Sequence, residues 1–101
     1  MAKLRGFLET DPDDSFTTYA LALEHAALGE HDKAVELLEA LLKRDPRHVP
    51  AYQQLGYLYL DLERPQAAQA ILRRGIEVSI RENDHHAGSE MQDTLDALET
   101  P

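Results

Sequence analysis

The chain contains no cysteine among its 101 residues, so it can form neither disulfide bonds nor thiolate zinc sites. It also lacks any apolar run near the roughly 20 residues that a membrane-spanning helix needs. Residues 1–10 include two basic side chains but no long apolar stretch and no small-residue cleavage site, and they therefore differ from a secretory signal. These absences favour a cytoplasmic protein.

Positive charge is scarce as well. Ten Lys and Arg residues stand against 19 Asp and Glu residues, which gives a formal net charge of −9. The segment 82–101 has six acidic residues and no Lys or Arg, a composition typical of a solvated face. A surface this acidic repels phosphate backbones and anionic lipids. We therefore expect binding neither to nucleic acid nor to membranes.

Residue groups that carry catalysis are missing too. There is no glycine-rich phosphate loop, and Ser15, Ser79 and Ser89 have no plausible partner base. The acidic pair at residues 13–14 is interpreted as a helix cap, because its side-chain oxygens can accept from the free N–H groups of a first turn. We predict no enzymatic activity, no catalytic residues and no cofactor.

One segment contains residue types that ligate metals. His85 and His86 lie next to Asp84, with Glu82 nearby, and such side chains can hold zinc. Adjacent residues on one loop rarely both ligate, however, and the sequence offers no distant fourth ligand. We interpret the segment as a solvated loop and predict no metal site.

What the chain does contain is a period of 34 residues. The dipeptide Asp-Pro occurs at residues 11–12 and again at 45–46. When segment 11–46 is superposed on segment 45–80, six positions are identical, whereas average residue usage gives roughly two. Several matches are four or seven residues apart, which places them on one helical face. The identical pairs are Asp11/Asp45, Pro12/Pro46, Leu21/Leu55, Leu28/Leu62, Ala34/Ala68 and Leu38/Leu72, and we expect the leucines to fill the layers between helices.

The residues between these matches favour helices. Alanine and leucine dominate the apolar residues, and β-branched residues are few, which favours helix over strand. Gly29 is expected to end a helix in the left-handed conformation, Pro46 to break one, and Pro65 to begin one. Ser89 and Gln92 form a capping box. We predict helices over 3–10, 15–28, 31–44, 48–62 and 65–83, a loop over 84–88, and a last helix over 89–99.

The segment 52–59 resembles the tetratricopeptide repeat. The family pattern Trp-x-x-Leu-Gly-x-x-Tyr is met by Leu55, Gly56 and Tyr59, with Tyr52 in place of the tryptophan. The later Ala-x-x-x-Phe is met by Ala68 and Leu72, and by Ala34 and Leu38 in the first unit, which Pro46 closes. The first unit departs more, with Thr18, Ala22 and His25 at the tryptophan, glycine and tyrosine positions.

This resemblance implies an all-α fold in which antiparallel helix hairpins form a right-handed superhelical array. It implies one domain over 1–101, with a leading helix at 3–10, repeats at 13–46 and 47–82, and a capping helix at 89–99. Positions 56 and 22, occupied by Gly56 and Ala22, are expected to require small residues because paired helices approach each other closely there. His25 is expected to be a core histidine in place of the tyrosine.

In this family the first helices of successive units line a concave groove. By helical spacing the groove residues of this chain are Phe16, Tyr19, Leu23 and Ala27, followed by Gln53, Tyr57, Leu60 and Asp61. We predict an adaptor module that binds an extended peptide or a helix of a partner protein there. The alternative is a self-associating structural unit, such as a homodimer, in which a second copy pairs either with this groove or with the incomplete N-terminal edge of the array.

Some family members hold the C-terminal carboxylate of their partner with paired Lys and Asn residues in the groove. The predicted groove of this chain contains no Lys or Arg. That mode of recognition is therefore not expected for this protein.

Overall fold

The computed structural model describes residues 14–100, and in that range the only regular secondary structure is α-helix. The all-α prediction is confirmed. The predicted leading helix at 3–10 lies outside the described residues. The described helices are α1 (Ser15–Ala27), α2 (His31–Arg44), α3 (Val49–Asp61), α4 (Pro65–Arg81) and α5 (His85–Glu99). None of them is long and apolar enough to cross a membrane.

Polar side chains cap the first turn of three of these helices, α1, α3 and α5. Asp14 accepts a hydrogen bond from the backbone N–H of Phe16 at 3.2 Å and another from the Thr17 hydroxyl, which begins α1. The Nδ1 atom of His48 accepts from the N–H of Ala51 at 3.3 Å at the start of α3. Such bonds satisfy N–H groups that have no partner within the helix. The prediction of a cap at residues 13–14 is confirmed for Asp14.

Three helices end in the same kind of turn. The middle residue of each turn has a positive φ, 81° at Gly29, 59° at Glu63 and 58° at Asn83. The residue after it donates its N–H to a carbonyl five positions earlier, as in a Schellman motif. These bonds run from Glu30 to His25 at 2.9 Å, from Arg64 to Tyr59 at 2.8 Å, and from Asp84 to Ser79 at 2.8 Å. The turns connect α1 to α2, α3 to α4, and α4 to α5.

The third turn corrects the prediction of a loop over 84–88. Helix α4 ends at Arg81 rather than at residue 83, and α5 begins at His85 rather than at Ser89. The cap of α5 is Asp84, whose Oδ1 accepts from the N–H of Ala87 at 3.2 Å. Asn83 supplies the left-handed position without a glycine, and the helix can therefore start four residues earlier than the capping box suggested.

We call α1 with α2 the first hairpin and α3 with α4 the second hairpin. Each helix packs against the next one along the chain, and α5 packs against α4 and also against α3. The largest fully buried apolar side chains are Leu38, Leu41, Tyr52, Leu55, Leu72 and Met91, and α1 adds the fully buried Thr17.

Close approach of the helices is visible at Gly56. A Cβ atom there would lie 2.6 Å from Leu72 Cδ2, a distance that real Cβ contacts do not show. The prediction that this position must be small is therefore confirmed. The prediction of a buried Leu28 is wrong, because Leu28 follows the last residue of α1 and its side chain is 62% exposed.

Candidate functional site

The first half of the predicted groove is one face of α1. Phe16, Tyr19, Leu23 and Ala27 are spaced by three and four residues, so they share a face of the helix. Phe16 is 74% exposed and Leu23 is 37% exposed, although both are large and apolar. Ala27 is exposed and Tyr19 is half-buried. The outer face of α1 is therefore apolar and accessible among the described residues.

The second half of the predicted groove is one face of α3. Gln53, Tyr57 and Leu60 are half-buried, and Asp61 is exposed. The Nε2 atom of Gln53 donates a hydrogen bond to the Tyr57 hydroxyl at 2.8 Å. This bond holds two of the predicted residues together. The side-chain carbonyl of Gln53 and the hydroxyl of Tyr57 can each form a further hydrogen bond on this face.

Tyr19 connects the two helices. Its ring centroid lies 5.1 Å from that of His48, the cap of α3, and its hydroxyl is hydrogen-bonded to Gln54. Burial raises the pKa of Tyr19 more than the bond to Gln54 lowers it, so the hydroxyl is neutral at physiological pH. Tyr19 therefore contacts α3 through His48 and Gln54, and these two residues were not predicted. Little in the sequence indicated their role, apart from their positions next to Val49 and Gln53 in the first turns of α3.

Asp61 is the last residue of α3 and lies four residues after Tyr57, on the same face of the helix. Its Oδ2 atom is 3.9 Å from Nε2 of His31, the first residue of α2. The pair is partly exposed, and it places Asp61 beside the turn that joins α1 and α2. A second polar connection, from Arg44 of α2 to the Thr18 hydroxyl at 3.1 Å, joins the other end of the first hairpin.

The opposite side of α3 contains a feature that the sequence analysis missed. Leu55 is two residues from both Gln53 and Tyr57, which places it about 200° around the helix from them. Leu55 and Tyr59 lie at the base of a cavity of about 370 Å³ between α2 and α4. The signal that could have found it is the spacing of Ala67, Ala70 and Ile71, which puts two small residues and one large apolar residue on one face of α4.

The histidines do not form a metal site within residues 14–100, where no three His, Asp or Glu side chains come together as candidate ligands. His85 and His86 belong to the first turn of α5, so their assignment to a loop is wrong. His25 is buried, as predicted, with its Nδ1 atom 3.4 Å from Oε1 of Glu30 and without a hydrogen bond.

Comparison with known proteins identifies the repeats. The family model of the tetratricopeptide repeat matches residues 25–78. The solution NMR structure of a tetratricopeptide repeat domain protein from Salinibacter ruber is 40% identical, with a TM-score of 0.84, over 88% of this chain and 90% of that one. A crystal structure of a tetratricopeptide repeat domain protein from the same organism is also 40% identical, with a TM-score of 0.81, over 85% of this chain and 97% of that one.

A more distant likeness concerns the fold alone. A MamA RS-1 ArsTM double mutant is 18% identical, with a TM-score of 0.67, over 95% of this chain and 81% of that one. No curated protein matches the sequence. The match of the family model over more than half of the chain, together with the 40% identity to the Salinibacter ruber domain, leads to one conclusion: this chain belongs to the tetratricopeptide repeat family.

Proposed function

We propose that the face formed by α1 and α3 binds an extended peptide or a helix of a partner protein, and that the protein acts as a non-catalytic adaptor. Tetratricopeptide repeats generally mediate protein–protein interactions, and their fold is generally a non-catalytic scaffold. We define the binding face as Phe16, Tyr19, Leu23, Gln53, Tyr57, Leu60 and Asp61.

The observation that carries the proposal is the exposure of Phe16 and Leu23. Large apolar side chains are normally buried in the core, because each Å² of apolar surface removed from water stabilises the protein by roughly 25 cal/mol. These two lie on the same face of α1, and the aromatic ring of Tyr19 lies between them in sequence. An apolar strip of this kind marks interfaces in soluble proteins.

The polar groups on the binding face suit recognition of a peptide. Gln53 and Tyr57 are bonded to each other, so they form a fixed pair that can still accept or donate one more bond. The face has a carboxylate at Asp61 and no Lys or Arg, and it therefore offers no cation for a terminal carboxylate. We expect apolar anchors of the partner to supply most of the affinity, with main-chain hydrogen bonds fixing its register.

The chain offers a matched control for testing this proposal. Leu28 and Ile80 are both 62% exposed, but neither belongs to the binding face. A peptide would first be selected from a random display library on the intact protein. Its affinity would then be measured by calorimetry for the double variants Phe16→Ala/Leu23→Ala and Leu28→Ala/Ile80→Ala.

We expect the first double variant to weaken binding at least tenfold and the second to leave it within about twofold, because large losses come from a few central apolar anchors. Far-ultraviolet circular dichroism would establish that both variants keep their helices. Equal losses in the two variants, or none in the first, would exclude this face as the binding surface.

A second candidate function is self-association through the same face. The observation that favours it is again the exposure of Phe16 and Leu23, because a second copy of the chain that covers this face would bury both side chains. Light scattering between low and high micromolar concentrations separates the two. A monomeric mass at every concentration would exclude self-association and support the adaptor function. A dimer that is lost in the double variant Phe16→Ala/Leu23→Ala would instead support the self-associating structural unit.

A further inference from the structure

The cavity on the far side of α3 is separate from the binding face. Its volume is about 370 Å³, and its walls come from α2 and α4 while α3 forms its base. Ligand sites in proteins usually have volumes of about 300–1,000 Å³. This cavity is therefore large enough for a small molecule and too small for a partner helix, whose diameter with side chains is about 10 Å.

The cavity exists because of how the hairpins pack. Helices α2 and α4 each pack closely against α3, while the side of α4 that faces the cavity presents Ala67 and Ala70. Alanine side chains are too short to fill the space above α3. The gap is thus built from the ordered helices of both hairpins and does not depend on a loop.

The base of the cavity is apolar. Leu55 is almost fully buried beneath it, and Leu42 and Ile71 are buried except for a small part of each side chain. These three side chains come from three different helices and close the bottom of the cavity, while the more accessible apolar lining is Tyr59, Ala67 and Ala70. A ligand body that covers this lining must itself be apolar.

Charged groups lie at the sides of the cavity. Lys43 of α2 lines it and has no ion-pair or hydrogen-bond partner within the described residues. Arg74 of α4 also lines it, and its guanidinium carbon lies 5.7 Å from the ring centroid of Tyr52. Two cations therefore border an apolar cavity in a protein whose net charge is −9.

One carboxylate also lines the cavity, but it is already bonded. Oε2 of Glu39 accepts a hydrogen bond from the Tyr59 hydroxyl at 3.0 Å. Burial and this bond both raise the pKa of Tyr59, so the hydroxyl stays protonated and donates to Glu39 at neutral pH. The bond does not cancel the charge of the carboxylate, and the lining therefore carries two cations, Lys43 and Arg74, against one anion.

We propose that this cavity binds a small apolar monocarboxylate, with its hydrocarbon body against Tyr59, Ala67 and Ala70 and its carboxylate towards Lys43 and Arg74. A single negative charge fits better than several. The acidic surface of the protein repels anions at long range, and salt screens that repulsion only beyond about 8 Å at physiological ionic strength.

The probe for testing this proposal is octanoate, with 1-octanol and octyltrimethylammonium as ligands of the same chain length and different charge. Each is titrated below its aggregation concentration into ¹⁵N-labelled protein, and the shifts of backbone amide signals give the site and the Kd. We expect octanoate to shift amides of α2 and α4 around Lys43 and Ala70. Its Kd should be at least fivefold lower than that of 1-octanol, and octyltrimethylammonium should bind most weakly.

Two variants separate the apolar part of the site from its charge. Ala70→Leu places a larger side chain in the cavity at an exposed position, and it should abolish binding of octanoate and 1-octanol alike. Lys43→Gln should raise the Kd for octanoate at least threefold and leave the Kd for 1-octanol unchanged. The matched control is Lys33→Gln on the same helix, where the lysine pairs with Glu36 at 3.8 Å and lies outside the cavity; it should change neither.

Three results would overturn the proposal. One is equal affinity for all three amphiphiles, which indicates non-specific hydrophobic binding. Another is amide shifts confined to α1 and to the Gln53 side of α3, which places the ligand on the binding face. The third is unchanged affinity in Ala70→Leu. Thermal unfolding of each variant shows whether it is folded at the temperature of the titration.

Discussion

The two hairpins solve the same packing problem with exchanged side-chain sizes. Position 52 of the second hairpin corresponds to Thr18 of the first, and position 75 corresponds to Leu41, by the 34-residue period. The first hairpin therefore pairs a small residue on its first helix with a large one on its second. The second hairpin has the reverse, Tyr52 with Gly75. All four side chains or backbones are buried.

The exchange shows what the repeat conserves. A Cβ atom on Gly75 would lie 2.6 Å from Tyr52 Cβ and 2.6 Å from the sulfur of Met91. The hydroxyl of Tyr52 also donates to the Pro46 carbonyl at 2.7 Å, which fixes the ring between the hairpins. We interpret the exchange as a way of keeping the total volume of a layer while residue identities change within it, because interiors are packed to nearly constant density.

The largest expected effect comes from giving the second hairpin the residue of the first. Gly75→Leu should destabilise the protein by more than about 3 kcal/mol, because the added side chain has no space beside Tyr52 and overpacking forces backbone shifts. Urea unfolding followed by circular dichroism measures the loss. The double variant Tyr52→Thr/Gly75→Leu should be more stable than the two separate losses imply, by roughly 1 kcal/mol.

The rescue should be partial, because Thr keeps the Cβ atom that a residue at position 75 would meet. A matched control is Leu41→Gly, which copies the second hairpin into the first and should cost about 3 kcal/mol or more through the cavity it leaves. Strict additivity of the Tyr52→Thr and Gly75→Leu losses would show that the two positions do not share one volume.

The next effect concerns how each hairpin ends. Pro46 follows α2, whereas the matching residue in the second hairpin is Ile80, which is helical and 62% exposed. Ile80→Pro should cost about 2–3 kcal/mol, because the ring removes an N–H from the last turn of α4 and collides with the carbonyl of Ile76. That carbonyl already accepts from the Ser79 hydroxyl at 2.7 Å.

The measurement for Ile80→Pro is again the urea midpoint, with Ile80→Ala as the control for loss of the exposed side chain. We expect Ile80→Ala to change stability by less than about 0.5 kcal/mol, as exposed substitutions usually do. Equal midpoints for the two variants would show that the last turn of α4 accepts proline at position 80 without a loss of stability.

A smaller effect of opposite sign is expected at the matching turns. Gly29 takes its positive φ without a Cβ, and a Cβ built there meets nothing within 4 Å, whereas Glu63 holds φ 59° with a side chain. The left-handed conformation costs roughly 1 kcal/mol for residues other than glycine. Glu63→Gly should therefore raise stability by about 0.5–1 kcal/mol, and Gly29→Ala should lower it by a similar amount. A loss in Glu63→Gly would show that the Glu63 side chain contributes more than its backbone strain costs.

The positions of the helices were largely predictable because glycine and proline residues in the sequence mark where helices end and begin. Gly29, Pro46 and Pro65 each act through the local backbone, and α1 to α4 accordingly begin and end close to where the sequence placed them. The start of α5 was missed because Asn83 takes the left-handed role that glycine has at position 29, while Ser89 offered a stronger but unused capping signal. Asn tolerates this conformation, yet a single asparagine is too common to predict a turn.

The two candidate sites differ in the same way. The shared face of Phe16, Tyr19 and Leu23 on α1 could be predicted, because their helical spacing is visible in the sequence. The cavity was missed although Ala67 and Ala70 put small side chains on one face of α4, because its depth depends on the distance between α2 and α4, and neither helix determines that distance alone. Ala70 and Lys43 are unremarkable on their own helices and become a site only when α3 brings the hairpins together.

The smallest expected effect tests a matched pair of polar residues. His25 is buried without a hydrogen bond at Nδ1, whereas Tyr59 at the matching position is half-buried and bonds to Glu39. Tyr59→Phe should cost about 0.5 kcal/mol of stability at neutral pH, because an exposed hydrogen bond contributes little.

The raised pKa of Tyr59 also makes stability depend on pH. Because burial raises this pKa, the folded state keeps the Tyr59 proton at a pH where the unfolded chain has already lost it. The wild type should therefore lose stability above about pH 10, and Tyr59→Phe should lose less over the same range, with the remainder due to Tyr19, whose pKa is raised as well. Urea midpoints at pH 8 and pH 10.5 measure both effects, and parallel losses in the two proteins would show that the Tyr59 hydroxyl has no part in the alkaline transition.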